Sequence, residues 1–356
     1  MTRYFSAGFL DGPTIWGGPA VVRRVEVIEE LARWCEERGI TRPLVLGGRP
    51  ISEIDLLLPL IHALEARGLS VRPCDRARSA DTLAVGEAVA AYHLDECDGV
   101  IAIGGAVAME VAKATVLMVG QRRPFVEFVE DQTADANTEA WLSVEESMIP
   151  NWVSVPTTPL AAAYSGGATI LADDLSRACL VRHPRLRPEL VIIDASLSAA
   201  IEDEHWWQSE RAARHVLAEC PTSGSELVAQ IDCEGELDRE DLLVSLAACG
   251  AGPIEANVGL LRGLSVAVAV RTGRRLSAAI LAVSQETPGG LGALGVHEAE
   301  IEALVSAVSG ADTDTLRSLL LAASPRPGGR PPVAVGRRRG GRQGRHQRDS
   351  GDDAAE

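Results

Sequence analysis

The segment at residues 99–118 reads GVIAIGGAVAMEVAKATVLM and joins an apolar run to a glycine pair and a helix-like stretch. Its first five residues have the composition of a strand buried on both faces, and Gly104 and Gly105 end that strand. A strand that leads through bare glycines into a helix places backbone N–H groups and the positive helix end where a phosphate can bind. Glycine pairs also form ordinary tight turns, so this pattern alone leaves both interpretations open.

Apolar runs of the same kind recur on both sides of this segment. Helical patterns separate them, and the first covers residues 21–39, VVRRVEVIEELARWCEERG. Further strands are predicted at PLVLGG (43–48), LSVRPC (69–74), WVSVPTT (152–158) and LVIID (190–194). Continuous apolar strands that alternate with helices are typical of a parallel sheet covered on both faces. We therefore predict an α/β fold with a doubly wound parallel sheet as the nucleotide-binding domain.

Beyond Asp194 the strand patterns stop, and the remaining apolar residues fit helical spacing better than alternation. We predict a nucleotide-binding α/β domain over residues 1–195, a shortened all-helical substrate domain over 196–324, and a disordered tail rich in Arg, Gly and Pro over 325–356. The ligand cleft is expected between the two domains, at the carboxyl ends of the strands.

The composition limits the partners. The chain has 34 basic and 50 acidic residues and a formal charge of -16, which argues against nucleic acid as a partner. No stretch has the roughly 18 apolar residues of a membrane span, and the first residues lack the pattern of a signal peptide, so we expect a cytoplasmic protein without a membrane partner. The seven cysteines never occur as CxxC and are expected to be reduced. Lys113 is the only lysine in the chain.

The stretch GGAVAMEVAKA at residues 104–114 resembles the iron-containing (group III) alcohol dehydrogenases, whose relatives include maleylacetate reductases and dehydroquinate-synthase-like enzymes. That family has a Gly-Gly-Gly-Ser turn followed by an aspartate and by Ala-Lys. Gly104, Gly105, Glu110 and Lys113 stand in the corresponding places. The single lysine of the chain therefore falls on the lysine of the family.

The resemblance continues in register at PTIWGGPA (13–20), at RSADTLAVGEAVAAYHLDECDGV (78–100), at VSVPTT (153–158) and at RLRPELVIIDASLS (185–198). In the family the Pro-Thr-Thr turn lies against the nucleoside and phosphates of NAD(P). The resemblance thus implies that Thr157 and Thr158 hold this cofactor together with Gly104, Gly105 and Lys113. Arg49 follows a predicted strand at a position where an arginine can accept the 2′-phosphate of NADP, which favours NADP over NAD.

Two departures from the family affect the chemistry. The family usually has Gly-Thr-Gly-Ser after Pro-Thr-Thr, whereas residues 159–163 here read PLAAA. The family binds its metal through Asp-x-x-x-His and two further histidines, and the aligned positions are Arg211, His215, Arg262 and Leu276. A guanidinium stays protonated and has no lone pair for a cation. We therefore predict that the chain has no catalytic iron or zinc site.

Positive charge is the predicted replacement for the metal. If the alignment holds, Arg211 and Arg262 converge and bind a carboxylate or phosphate of the substrate, while His215 moves a proton. The alternative is that these arginines pair with acids of the same chain. The leading hypothesis is a metal-independent NAD(P)-linked oxidoreductase for a small hydroxy or oxo substrate with an acidic group. One variant is an oxidative decarboxylation in natural-product biosynthesis, including one at a peptide terminus.

Two other hypotheses belong to different classes. A pseudoenzyme would keep the fold and bind a ligand or partner without turnover; the lost metal ligands and phosphate loop favour it, and the retained glycine pair and Lys113 oppose it. A carbon–oxygen lyase resembling dehydroquinate synthase would need a metal and several lysines, which disfavours it. The substrate, the direction of reaction and the oligomeric state, including a homodimer, stay open.

Overall fold

The computed structural model describes residues 5–6, 20–23, 26–48, 57–74, 79–129, 144–161, 163–172, 177–218, 276–284 and 290–306, and the single positions 239, 242, 268, 317, 320, 321 and 323. The strands are β1 (Phe5–Ser6), β2 (Ala20–Arg23), β3 (Pro43–Gly47), β4 (Arg72–Cys74), β5 (Gly99–Gly104), β6 (Trp152–Pro156), β7 (Gly167–Ala172), β8 (Arg177–Arg182) and β9 (Leu190–Ile193). The helices are α1 (Val27–Arg38), α2 (Leu57–Glu65), α3 (Thr82–Leu94), α4 (Ala106–Met118), α5 (Ala195–Ala199), α6 (Asp203–Ala218), α7 (Leu276–Val283) and α8 (Ile301–Ser306).

Seven of these strands form one sheet in the order β1-β2-β9-β6-β5-β3-β4. The edge strand β1 is antiparallel to β2, and the other neighbours are parallel. The chain leaves β3 for β4 on one side and returns to β5 on the other, so the strand order reverses between β3 and β5. This arrangement confirms the predicted doubly wound sheet, and such sheets bind ligands at the point of reversal, beyond the carboxyl ends of the strands.

Apolar side chains cover the sheet on both faces. In β5, Ile101 and Ile103 belong to a core shared with α1 and α2, whereas Val100 and Ala102 belong to a second core shared with α3 and α4. Successive residues of a strand point to opposite faces, so a strand between two helical layers must be apolar throughout. This double burial is the physical reason for the uninterrupted run at residues 99–103.

The first helix is shorter than the sequence pattern predicted. The helix expected over residues 21–39 begins only at Val27, because residues 20–23 form β2 and pair with β9. Adjacent valines fit a pleated strand well. The carboxylate of Asp194, at the end of β9, accepts a hydrogen bond of 3.1 Å from the Val27 N–H and so satisfies one of the free donors at the start of α1.

An antiparallel hairpin of β7 and β8 lies outside the main sheet and was not predicted. It packs against α4, which also contacts β5. Ten of the thirteen residues of α4 are buried as a result, including Glu110 and Lys113. A helix buried all round is expected to be apolar, so these two charged residues need internal partners.

Helices follow the last strand of the sheet, as predicted. α6 and α7 contact each other, and apolar residues of both join the core that covers α1 and α2. The boundary at residue 195 stays a prediction, and the tail at 325–356 lies outside the described residues. Within the described part of the chain, none of the helices combines the length and the apolar character that crossing a membrane requires.

Candidate functional site

The candidate site lies where β3, β5 and β6 end side by side. The Gly48 N–H donates to the carbonyl of Ile103 at 3.1 Å, and the Thr157 N–H donates to the carbonyl of Gly104 at 3.0 Å. These two hydrogen bonds join the three strand ends at the reversal of the strand order. The predicted glycine turn and the predicted Pro-Thr-Thr turn are therefore adjacent in the structure.

Gly104 and Gly105 each lack space for a side chain, but for different structural reasons. Gly104 has a φ of 141°, which side chains rarely adopt, and a Cβ there would lie 3.2 Å from the backbone nitrogen of Gly48. Gly105 is the N-cap residue of α4, and a Cβ at this position would lie 2.8 Å from Oγ1 of Thr158. Bare backbone thus forms the surface at the N-terminus of α4, where a phosphate can approach closely.

Thr157 is 1% exposed, and within the described structure its backbone groups have hydrogen-bond partners whereas its hydroxyl does not. Its carbonyl accepts a hydrogen bond of 3.4 Å from Oγ of Ser198, in addition to the bond that its N–H makes to Gly104. Its buried hydroxyl has no partner among the residues that the structure describes. Most buried polar groups in native proteins are satisfied by protein or by water, so this hydroxyl is a candidate ligand contact.

Lys113 is completely buried beside the β7–β8 hairpin. Its Nζ donates to Oγ of Ser165 at 2.5 Å and to the carbonyl of Gly167 at 3.0 Å. One turn earlier on α4, Glu110 accepts a hydrogen bond of 2.6 Å from the Thr169 N–H. Both charged side chains therefore attach β7 to the helix that follows the glycine turn. A contact between Lys113 and the cofactor stays a prediction.

The predicted substrate residues lie on α6. Arg211 is exposed and His215 is half-buried. Glu210 is buried and forms an ion pair with Arg214, four residues later. Arg262 lies outside the described residues, so its convergence with Arg211 stays a prediction, and the same holds for the contact of Arg49 with a 2′-phosphate.

Sequence reasoning missed the residues that connect α6 with the Pro-Thr-Thr turn. Oγ of Ser209 accepts a hydrogen bond of 3.1 Å from the Leu160 N–H, and the indole N–H of Trp206 donates to Oγ of Ser198 at 2.8 Å. Trp206 and Ser209 are three residues apart and both buried, which is the spacing of one helix face. A serine on the apolar face of a helix was the only available signal, and its partner was not visible in the sequence.

Cys35 and Cys97 are buried free thiols. Burial, with a smaller contribution from Asp98, raises the pKa of the Cys35 thiol to about 12. Burial and then Asp95 and Asp98 raise the pKa of Cys97 to about 11. Thiols that remain protonated are weak nucleophiles and weak metal ligands, so neither side chain is a catalytic candidate.

No group of three His, Cys, Asp or Glu side chains within the described ranges has the arrangement of a metal site. The alignment predicted from the sequence puts Arg211 at the aspartate ligand of the family, and a guanidinium has no lone pair for a cation. On that alignment the described donors do not fit the metal that the family resemblance implies, and the loss of the metal site stays a prediction.

One protein family matches about half of the chain. Residues 19–195 match the family described as iron-containing alcohol dehydrogenase. The probable alcohol dehydrogenase EutG of Salmonella typhimurium is 29% identical over 170 residues, which are 47% of this chain and 40% of that protein. The 4-hydroxybutyrate dehydrogenase of Cupriavidus necator is 26% identical over 169 residues, which are 47% of this chain and 42% of that protein. The chain thus matches about two fifths of the length of these curated relatives.

A solved structure agrees over a longer part of the chain. NADH-dependent butanol dehydrogenase A from Thermotoga maritima has a TM-score of 0.64 and covers 86% of this chain and 96% of its own, at 15% identity. At this identity the likeness shows the fold alone. The match at residues 19–195 confirms the resemblance of this part of the chain to the iron-containing alcohol dehydrogenases, and the solved structure extends the likeness of fold to most of the chain.

Proposed function

We propose that this protein is an NAD(P)-dependent oxidoreductase of the alcohol dehydrogenase type. The observation that carries the proposal is the buried Thr157 hydroxyl, which lacks a partner in the described residues and lies beside the glycine turn. A bare helix N-terminus and a free hydroxyl at the reversal of a doubly wound sheet suit the pyrophosphate of a dinucleotide. The bound nicotinamide would supply the acceptor or donor of a hydride.

Different residues of the chain would contact different parts of the cofactor. The N-terminus of α4 and the Thr157 hydroxyl would contact the pyrophosphate, and the absence of side chains at Gly104 and Gly105 admits it. Arg49 would pair with a 2′-phosphate, which favours NADP. Lys113 would act on the cofactor through the position of α4 and β7, because its Nζ is bonded to Ser165 and Gly167.

The substrate is proposed to be a small hydroxy or oxo compound with an acidic group. Arg211 and His215 are four residues apart on α6, the spacing of neighbours on a helix surface, so both can reach one ligand. Arg211 would pair with the anionic group and His215 would take the proton of the hydroxyl as hydride leaves its carbon. The name of the Cupriavidus necator relative includes a hydroxy acid, which supports this class. Oxidative decarboxylation of a β-hydroxy acid is the proposed variant.

We further propose that the reaction needs no metal. The support is the predicted donor set: the sequence alignment puts Arg211 at the aspartate ligand of the family, and a guanidinium cannot bind a cation. Substrate charge would then be balanced by arginine. No step of the proposed reaction passes through a metal ion.

The proposal is tested by titrating the metal-stripped full chain with NADPH and NADH in a calorimeter, with and without added zinc or iron. We expect saturable binding that is indifferent to metal. Turnover is then followed by the absorbance of the reduced nicotinamide, with hydroxy acids and with neutral alcohols of the same length. A requirement for metal would overturn the metal-independent mechanism, and a folded protein that binds neither nucleotide would refute the oxidoreductase.

One observation favours a second candidate, a pseudoenzyme of the same fold. Pro159, Leu160 and Ala161 form a buried 3₁₀ helix where the family usually has Gly-Thr-Gly-Ser, so phosphate-binding groups are replaced by apolar ones. Such a protein would bind a ligand or partner without turnover. Saturable nucleotide binding with no hydride transfer to any acid or alcohol substrate would support this candidate over the enzyme.

A further inference from the structure

We propose that Ser209 and Trp206 are positioning residues that hold the Pro-Thr-Thr turn in the geometry for binding the nucleotide. Both lie on α6, outside the sheet, and neither is among the residues that would touch the cofactor. The inference rests on the proposed function, because it assigns to α6 control over the affinity of that same nucleotide site.

The first connection is made by Ser209, which is 2% exposed. Its Oγ accepts the hydrogen bond from the Leu160 N–H at 3.1 Å. This N–H is at the start of the 3₁₀ helix Pro159–Ala161, where backbone donors have no acceptor within the helix. The next donor, the Ala161 N–H, bonds back to the carbonyl of Thr158 at 3.1 Å. Ser209 therefore supplies the acceptor that the backbone of this 3₁₀ helix does not offer to the Leu160 N–H.

The second connection runs from Trp206 through Ser198 to Thr157. The indole N–H donates to Oγ of Ser198 at 2.8 Å, and this hydroxyl donates to the carbonyl of Thr157 at 3.4 Å. Trp206 and Ser198 are both completely buried. The guanidinium of Arg239 lies 5.0 Å from the centre of the Trp206 ring and donates to the carbonyl of Ser198 at 3.1 Å, so the intermediate serine is held from two sides.

The two connections hold the turn at both ends of its ligand-facing part. The carbonyl of Thr157 is fixed before Thr158, and the N–H of Leu160 is fixed after it. The Thr158 side chain, against Gly105, lies between these points, and the free hydroxyl of Thr157 lies directly before the first of them. A turn fixed in this way is already ordered before a ligand binds, and preorganisation raises affinity by reducing the ordering that binding requires.

Loss of either connection is expected to lower the affinity for the nucleotide more than it disturbs the rest of the site. Ser209→Ala removes the acceptor for Leu160, and Trp206→Phe removes the donor to Ser198 while it keeps a large aromatic ring. One lost hydrogen bond corresponds to a rise in the nucleotide Kd of roughly three- to ten-fold. Ser209→Thr keeps the hydroxyl and should restore the affinity of the unaltered protein.

The experiment measures the Kd of NADPH by calorimetry, and the melting temperature, for the full chain and five variants, of which Thr157→Val removes the proposed ligand contact itself. Gln208→Ala is the matched control, since Gln208 neighbours Ser209 but its side chain bonds only to Glu204 on the surface of the described α6. We expect Ser209→Ala and Trp206→Phe to raise the Kd, and Ser209→Thr and Gln208→Ala to leave it unchanged. If Ser209→Ala does not fold, Trp206→Phe decides.

The possible failures are distinguishable. If the unaltered protein binds neither NADPH nor NADH, the proposed function fails and this inference fails with it. If the unaltered protein binds and Thr157→Val weakens binding, while the folded Ser209→Ala and Trp206→Phe variants lower only the melting temperature, the nucleotide site stands and the positioning function is overturned. A Gln208→Ala variant as weak as Ser209→Ala would also overturn it, because the effect would then be general to the helix.

Discussion

Thr157→Val should change stability and nucleotide affinity in opposite directions. Valine has nearly the shape of threonine but no hydroxyl, and the Thr157 hydroxyl is buried without a partner in the described structure. A buried polar group without a hydrogen bond costs about 1–3 kcal/mol in proteins. The variant without nucleotide should therefore be more stable than the unaltered protein by up to this amount.

The same substitution should weaken the binding of the nucleotide. A hydrogen bond to a charged group contributes about 1.5–3 kcal/mol, which corresponds to a rise in Kd of roughly 10- to 100-fold at 1.4 kcal/mol for each factor of ten. Stability is measured by urea unfolding without ligand, and the Kd of NADPH by calorimetry at a temperature where both proteins are folded. The opposite signs separate a ligand contact from an ordinary core threonine.

Thr115→Val is the matched control. Thr115 is also completely buried, but its hydroxyl donates to the carbonyl of Val111 at 2.7 Å within α4. Its removal should lower stability by about 1 kcal/mol and leave the Kd unchanged. If Thr157→Val lowers stability as much as Thr115→Val and keeps the Kd of the unaltered protein, the assignment of Thr157 to the nucleotide site is wrong.

Three further outcomes follow from the contacts and charges. Gly105→Ala should weaken NADPH at least about ten-fold, because its Cβ would lie 2.8 Å from Oγ1 of Thr158 at the phosphate turn; an unchanged Kd in calorimetry would contradict the close approach. Lys113→Met should lower the unfolding free energy by about 2 kcal/mol in urea, because Oγ of Ser165 and the carbonyl of Gly167 each lose the hydrogen bond from Nζ. Equal stability would contradict the conclusion that Lys113 attaches β7 to α4. Burial lowers the pKa of His183 from 6.5, with Arg185 adding to this and Glu146 opposing it, so the unfolded chain binds this proton more readily than the folded one. Stability is then fully present above pH 6.5 and is lost as the pH falls towards the lower folded pKa; a slope retained in His183→Gln would assign the effect to another group.

Part of the site was predictable because it depends on local backbone rules. The apolar strand at residues 99–103 and the glycines after it predicted both the double burial of β5 and the bare start of α4. Thr157 and Thr158 were predicted from the family resemblance, and the structure places them beside those glycines. Each of these features is carried by a few consecutive residues.

Other features were predicted wrongly or not at all, because segments distant in the sequence decide their conformation. Residues 21–23 were expected in a helix but belong to β2, because β9 offers this strand a pairing partner 170 residues later in the chain. The partners of Lys113, Ser165 and Gly167, are 52 and 54 residues away. No periodicity in the sequence predicts contacts between residues so far apart.

The sequence by itself determined the doubly wound sheet, the glycine turn and the family resemblance, since burial pattern and glycine conformation are properties of short segments. Only the tertiary structure decided which hydroxyls are satisfied. Ser209 is bonded to Leu160, and Thr157 has a hydroxyl with no partner in the described structure, although both residues are small, polar and buried. The difference arises because a hydrogen bond needs two groups at the right distance and angle, and the fold alone sets that geometry.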